Sequence, residues 1–265
     1  MTGALLSGAL RPLGRALAVW GTALAGLILL TSAFWPAFRD SPGMTEAIGG
    51  MPQGLVDALG LGDLGTPEGF LWGNLYSLLV PLLMAVAGAS LATSLTARQE
   101  ESGHYELLLT QPVSRTAVLT ARITAAALAV LALGAAVFLV QWAADAIWDI
   151  GVPVARLAST VALCTFTAVV AAAATALGAA VTGRPAVAEG AGVGLTVAGY
   201  VVSALFPLRE GWESAQYISP WNWALGGEPL TTTAEWWRYL APLALAAVLA
   251  ALALAAFDRR DIHAA

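Results

Sequence analysis

Hydrophobic residues occur along this chain in long runs, not in the alternation that is typical of half-buried β-strands. Six of the runs reach about 20 residues, the length that an α-helix needs to cross the hydrocarbon core of a bilayer. We predict transmembrane helices at residues 16–38, 71–96, 116–142, 155–181, 187–206 and 239–257. The backbone of each must satisfy its own hydrogen bonds in lipid. The expected fold is an all-α integral membrane protein whose single transmembrane domain covers residues 1–265.

The N-terminus and one connection carry further predictions. Residues 1–14, with leucines on both sides of Arg11, are predicted to form an amphipathic helix along the membrane surface. The apolar stretch that follows is longer than the ~7–15-residue core of a signal peptide, so we expect an uncleaved first span. The connection before the sixth span is rich in tryptophan, which prefers the membrane interface. It is either an aromatic belt or a re-entrant extracellular segment, Pro207 to Pro229, that caps a cavity.

Composition agrees with the hydrophobic pattern and argues against a soluble domain and a nucleic-acid-binding protein. The chain is 58% hydrophobic and 11% charged, whereas a soluble domain has roughly 25% charged residues. Its net charge of −5 gives no basic face for nucleic acid. Cys164 is the single cysteine, so no intramolecular disulfide can form, and we interpret it as a small packing residue.

Arginine placement predicts the orientation of the chain. All 12 basic residues are arginine. With a cytoplasmic N-terminus, eight of them fall on the inner side: Arg11, Arg15, Arg98, Arg115, Arg122, Arg184, Arg259 and Arg260. The other four fall outside: Arg39, Arg156, Arg209 and Arg238. Because cytoplasmic loops carry the excess of basic residues, we expect both termini in the cytoplasm of a cell whose inner or plasma membrane holds the protein.

The segment between the second and third predicted spans has the most distinctive sequence. Glu100, Glu101 and Glu106 form an acidic cluster, and apolar side chains follow it at helical spacing up to Pro112. Pro112 disfavours helical geometry at the residue before it and so ends this helix. On the residues alone, the segment is either a solvated loop resting on lipid or an amphipathic helix that receives force from a cytoplasmic partner.

This segment resembles the coupling segment of ABC-2 type ABC transporter permeases. The similar run is Arg-x-Glu-Glu-x-Gly-x-x-Glu-Leu-Leu-Leu-x-x-Pro-Val-Ser-Arg, at Arg98 to Arg115, with His104 where a small residue such as threonine is expected. The six spans are similar to those permeases too, in particular to the bacterial drug and antibiotic exporters. The resemblance implies that the following residues couple the permease to an ATPase: Arg98, Glu100, Glu101, Gly103, Tyr105, Glu106, Leu108, Leu109, Pro112 and Arg115.

The same resemblance implies partners. The family's permeases pair with a separate ATPase, so we expect two ATPase subunits and two permease halves, identical or closely related. The sequence has no Gly-x-x-x-x-Gly-Lys-Ser/Thr motif and no lysine, so this chain cannot cradle phosphates in that way. ATP and magnesium are expected on the partner, and no cofactor on this chain.

A substrate path is predicted from the few polar and aromatic residues near the outer ends of the spans. The candidates are Trp72, Asn74, Tyr76, Gln141, Trp221 and Trp223. We expect Asn74 and Gln141 to have access to water near the outer surface. A cavity lined mainly by alanine, leucine, valine and tryptophan would suit an apolar or amphipathic substrate, which the transporter would export.

Two further features have structural interpretations. Glu189 follows Arg184 into the fifth span, where the helix dipole and Arg184 would stabilise its carboxylate. Gly190 and Gly194 have the spacing that lets helices approach closely, with Gly192 between them.

Other classes of protein remain as alternatives. An intramembrane metalloprotease needs a motif such as His-Glu-x-x-His, but His104 and His263 are the only histidines and both lie outside the predicted spans. We therefore do not expect an enzyme. A secondary transporter or channel subunit, or a membrane subunit that only assists assembly, stays open on the residues alone.

Overall fold

The computed structural model describes residues 2–39, 65–101 and 114–259. All regular structure in these ranges is helical, and six stretches are long and apolar enough to cross a bilayer. Numbered first to sixth, these spans are Leu13–Arg39, Pro67–Glu101, Arg115–Trp148, Val154–Thr182, Pro185–Leu208 and Trp237–Arg259. The predicted count of spans is confirmed, and the chain is an all-α, multi-pass integral membrane protein.

Four of the spans are built on one long helix each, and two are interrupted. The long helices are Arg115–Trp148, Val154–Thr182, Pro185–Ala204 and Trp237–Arg259. The first span consists of helices Leu13–Ser32 and Trp35–Arg39. The second consists of helix Pro67–Leu71, a π-helical turn at Trp72–Tyr76, and helices Leu79–Leu95 and Ala97–Glu101.

Two span boundaries lie beyond the predicted ones. Thr66 accepts a hydrogen bond from the amide of Gly69 at 3.1 Å, so the second span begins at Pro67 and not near residue 71. The third span continues to Trp148, past the predicted end at 142. The carboxylate of Asp145, in the last turn of this helix, accepts the amides of Gly151 and Val152 just beyond it, which fixes the turn into the fourth span.

The spans run alternately up and down, so the bundle has two ends. We call them the Arg98 end, where the second span stops, and the Trp221 end, where the short helix Pro220–Leu225 lies. The fourth span is central and packs on the second, third, fifth and sixth. The first, fifth and sixth spans are much less buried within the chain.

Glycines mark the closest contacts of the fourth span. A Cβ atom on Gly88 of the second span would lie 2.6 Å from the backbone oxygen of Ala168. A Cβ on Gly192 of the fifth span would overlap Thr175 and the backbone of Ala171. Gly190 and Gly194 have open space at the same position, so the glycine that packs closely within this chain is Gly192, the one between the predicted pair.

The N-terminal helix, Thr2–Leu10, packs on the third span at the Arg98 end. Leu6, Ala9 and Leu10 lie against the main hydrophobic core. A helix therefore occupies part of the predicted range 1–14, with one apolar face turned to the bundle. That it also lies along the bilayer surface stays a prediction.

The chain between the fifth and sixth spans folds back on the bundle. It forms 3₁₀ turns at Phe206–Leu208 and Glu213–Ile218 and then the helix Pro220–Leu225. Ser219 caps this helix and donates its hydroxyl to the backbone oxygen of Gly199, at 2.6 Å. The ring of Trp221 packs edge-on against Tyr200. This segment is thus held on the fifth span, while its depth in the membrane stays a prediction.

Candidate functional site

The second span is broken near its Arg98 end at Thr96, whose φ of −118° and ψ of −95° are not helical. The amides of Gln99 and Glu100 both donate to the backbone oxygen of Thr96. The oxygen of Leu95 would normally receive the amide of Gln99 in a continuous α-helix. It accepts instead from Nη1 of Arg122 in the third span, at 2.5 Å. A side chain from the next span therefore caps the end of the second.

Arg122 is only 5% exposed. Charged groups inside a membrane span are costly and are commonly tied to backbone oxygens or to function. Arg122 also lines two cavities: one of about 230 Å³ between the second, third, fourth and sixth spans, and one of about 210 Å³ beneath the N-terminal helix. From the sequence, Arg122 indicates only the orientation of the chain. Its position seven residues inside an apolar run was the signal for a structural role.

The helix Ala97–Glu101 follows the break and packs against the corner between the fourth and fifth spans. Ala97 is fully buried against Ala179 and Ala188. Nη2 of Arg98 lies 3.6 Å from Oε2 of Glu189 in the fifth span. The expectation that Arg184 would pair with Glu189 is corrected by this contact. Glu189 also lies beyond the first turn of its helix, where the dipole acts less.

The two ends of the predicted coupling segment lie at the same end of the bundle. Glu100 is half-buried and Glu101 is exposed at its start. Arg115 opens the third span, where Ser114 caps the helix by accepting the amide of Ala117 at 3.2 Å. The other predicted coupling residues lie outside the described residues: Gly103, Tyr105, Glu106, Leu108, Leu109 and Pro112.

Two of the predicted path residues meet inside the bundle. The hydroxyl of Tyr76 donates to Oε1 of Gln141, and Nε2 of Gln141 donates to the hydroxyl of Ser32, both at 3.3 Å. All three residues have no exposed surface. The expectation that Gln141 would have access to water is therefore wrong, because the first and second spans cover it. The three side chains form a polar contact between spans instead.

The other four path candidates lie apart from this contact. Trp72 is half-buried against the core. Asn74 is exposed and donates to the backbone oxygen of Phe70, one turn earlier in the same span. Trp221 is buried on the fifth span, while Nε1 of Trp223 donates to the backbone oxygen of Tyr217 at 2.6 Å. The structure thus brings Tyr76 and Gln141 together. Trp72 lies in the second span, and Trp221 and Trp223 lie in the short helix Pro220–Leu225.

An apolar cavity lies closer to the Arg98 end. It is the cavity of about 230 Å³ that Arg122 borders, and most of its lining is alanine from the second, third, fourth and sixth spans. Thr96 and Arg122 are its polar lining residues. Such a lining accommodates alkyl or aromatic groups, with one cationic side chain at the edge.

Comparison with known protein families gives a match over nearly the whole chain. The model of the ABC-2 family transporter proteins matches residues 15–262, which include five complete spans, all but the first two residues of the first span, and the segment between the second and third. No curated protein matches the sequence.

Proposed function

Because the chain belongs to the ABC-2 family of transporters, we propose that it is the membrane-spanning subunit of an ATP-driven exporter. Membership implies an ABC ATPase as partner. The segment from Arg98 to Arg115 is proposed as the site where that ATPase docks. Two ATPase subunits and two permease halves, identical or closely related, would form the complete transporter.

The observation that carries the proposal is how the start of this segment is held. The cap from Arg122 ties the break after Leu95 to the third span, and Ala97 is packed on the fourth and fifth. Force applied to the segment would reach the membrane helices through a buried side chain and a packed contact. In a solvated loop such force would be lost in loop movement.

Binding and hydrolysis of ATP would take place on the partner, because this sequence lacks the phosphate-cradling motif. Closure of two ATPase subunits would shift the coupling segment and move the second and third spans as levers. A cavity that faces inward would then open outward. ATP and Mg²⁺ belong to the partner in this scheme.

The orientation that this scheme requires is supported by charge. Among the described residues, the Arg98 end holds seven arginines and the Trp221 end holds four. Since basic residues concentrate on the cytoplasmic side, we place the Arg98 end and both termini in the cytoplasm. The protein would lie in the inner or plasma membrane, with the Trp221 end outside.

The proposed substrate is apolar or amphipathic and moves outward. The alanine-rich lining of the cavity beside Arg122 supports this class, because burial of apolar groups there is favourable. The resemblance of the coupling segment supports a more specific proposal. The substrate would be a drug or antibiotic, and export of it would contribute to antibiotic resistance.

The proposal is tested by purifying the chain alone and after coexpression with candidate ABC ATPase subunits from the same organism. We expect no ATP hydrolysis by the chain alone, and stable copurification with an ATPase whose turnover an amphipathic cation or neutral amphiphile stimulates. Robust hydrolysis by the isolated chain would contradict the proposal. Transport by the isolated chain in vesicles, driven by an ion gradient, would favour a secondary transporter or channel.

A further inference from the structure

We propose that Arg98 and Glu189 act as a latch that transmits movement of the coupling segment to the fifth span as well as to the second and third. The latch is the ion pair together with the buried contact of Ala97 on Ala188. This inference rests on the proposed function, because it assumes that an ATPase moves the segment. Arg98 and Glu189 would be positioning residues, since neither needs to touch the substrate.

The contact lies where the fourth and fifth spans pack closely at the Arg98 end. A Cβ atom on Gly178 of the fourth span would be 3.0 Å from Cα of Ala188 and 3.1 Å from Cβ of Ala191. The short turn that joins the two spans ends with Gly183 in the left-handed conformation and Arg184. Because small residues bring the two spans close together here and Ala97 is buried against Ala179 and Ala188, a shift of Ala97 would displace the start of the fifth span.

The ion pair has the properties of a contact that can be remade. The side chains of Arg98 and Glu189 keep 55% and 34% of their surface exposed, and their charged atoms are 3.6 Å apart. Pairs this exposed contribute little to folding. The bundle therefore does not depend on the pair, and its two members can separate and rejoin as the segment moves. The buried contact of Ala97 supplies the push, while the ion pair supplies the return pull.

The fifth span is suited to move when the coupling segment moves. It is among the least buried spans of the chain, and only a few of its residues are fully covered. At its other end it carries the capped helix Pro220–Leu225 through the bond from Ser219 to Gly199. A displacement at Glu189 would thus reach the Trp221 end of the bundle along one continuous helix.

The latch itself is tested without any partner. Spin labels are placed at Glu101→Cys and Ala186→Cys on a Cys164→Ala background, and their distance is measured by double electron–electron resonance in nanodiscs. We expect one narrow distribution for the parent, a broad one for Glu189→Arg, and a narrow one again for the exchanged pair Arg98→Glu with Glu189→Arg. Arg184→Glu, a charge reversal of equal size and opposite sign at the same corner, should stay narrow. An unchanged distribution for Glu189→Arg overturns the latch.

Transmission is tested in the complex with the copurifying ATPase. We expect Glu189→Arg to copurify normally and to keep basal hydrolysis, while substrate-stimulated turnover falls by about fivefold or more, the low end of typical coupling between sites. Wild-type stimulation in a variant whose labels have separated overturns transmission. If the unchanged chain binds no ATPase, the proposed function fails and transmission falls with it, while the spin-label result still decides whether the latch exists.

Discussion

The hydroxyl of Tyr76 in the second span donates a hydrogen bond to the side-chain oxygen of Gln141 in the third, at 3.3 Å. Gln141 passes the connection on to Ser32 of the first span. No water-exposed surface remains on any of the three. Polar side chains that bond across helices hold membrane bundles together where the hydrophobic effect between helices is absent. This contact therefore joins the first three spans near the Trp221 end.

Replacing Tyr76 with phenylalanine should lower the free energy of unfolding by about 1 kcal/mol, because it removes the bond and leaves a buried acceptor on Gln141. Reversible unfolding in mixed micelles measures the change. Tyr217→Phe is the matched control: Tyr217 is 66% exposed, so the same deletion should have almost no effect. Equal stability of Tyr76→Phe and the parent would show that the bond is not formed in the membrane.

Gly192→Ala should destabilise the bundle by about 1–3 kcal/mol, because the added methyl group overlaps Thr175 and the backbone of Ala171. Gly194→Ala, two residues later in the same helix, meets open space and should be neutral or slightly stabilising. Thermal unfolding of the two variants in the same detergent gives the comparison. If Gly194→Ala is the more harmful change, the exposed face of the fifth span packs on another chain.

Reversing a charge in the coupling segment should damage the link to the ATPase and leave the membrane fold unchanged. Glu101→Arg and Glu106→Arg should insert normally but copurify poorly with the ATPase, or copurify without substrate-stimulated turnover. Breaking one buried interfacial charge pair can cost about 2–5 kcal/mol. Leu108→Asp should have the same effect through the apolar face.

The control for these variants is Asp57→Arg in the connection between the first and second spans, which should be nearly silent. Exposed polar positions away from contacts rarely affect stability. Copurification and stimulated hydrolysis are measured side by side for all four variants. If the three coupling variants assemble and transport like the parent, the segment is a solvated turn and the docking site lies elsewhere.

Single cysteines on a Cys164→Ala background test the orientation. Thr232→Cys, at the Trp221 end, should react with a membrane-impermeant maleimide in intact cells, whereas Ser102→Cys and Ala264→Cys should react only after the cells are opened. Labelling of Ser102→Cys or Ala264→Cys from outside would reverse the proposed topology, and with it the assignment of the Arg98 end to the cytoplasm.

Much of this fold could be predicted from the sequence, because apolar length alone determines which stretches can cross a bilayer. The third span shows the limit of that reasoning. The sequence predicts an end at 142, but the helix continues to Trp148, and the carboxylate of Asp145 accepts the amides of Gly151 and Val152 in the turn that follows. Hydropathy scores Asp145 only as a break in the apolar run and does not register that its carboxylate holds this turn.

Less of the candidate site could be predicted, because its contacts join residues that are distant along the chain. Arg98 pairs with Glu189, 91 residues away, whereas local reasoning assigned Glu189 to nearby Arg184. Gln141 was expected to reach water because it lies near a span end, and the packing of the first and second spans buries it. Periodicity indicates which face of a helix is apolar but not which neighbour will cover it.

The cap on Leu95 also bears on how the protein is made. The oxygen of Leu95 is satisfied by the side chain of Arg122, which lies 27 residues later in the chain. While only the second span has entered the membrane, that partner is not yet beside it. The end of the second helix can therefore settle only after the third has entered the membrane beside it. The native end of the second span's long helix is thus a property of the second and third spans together, and not of the second span alone.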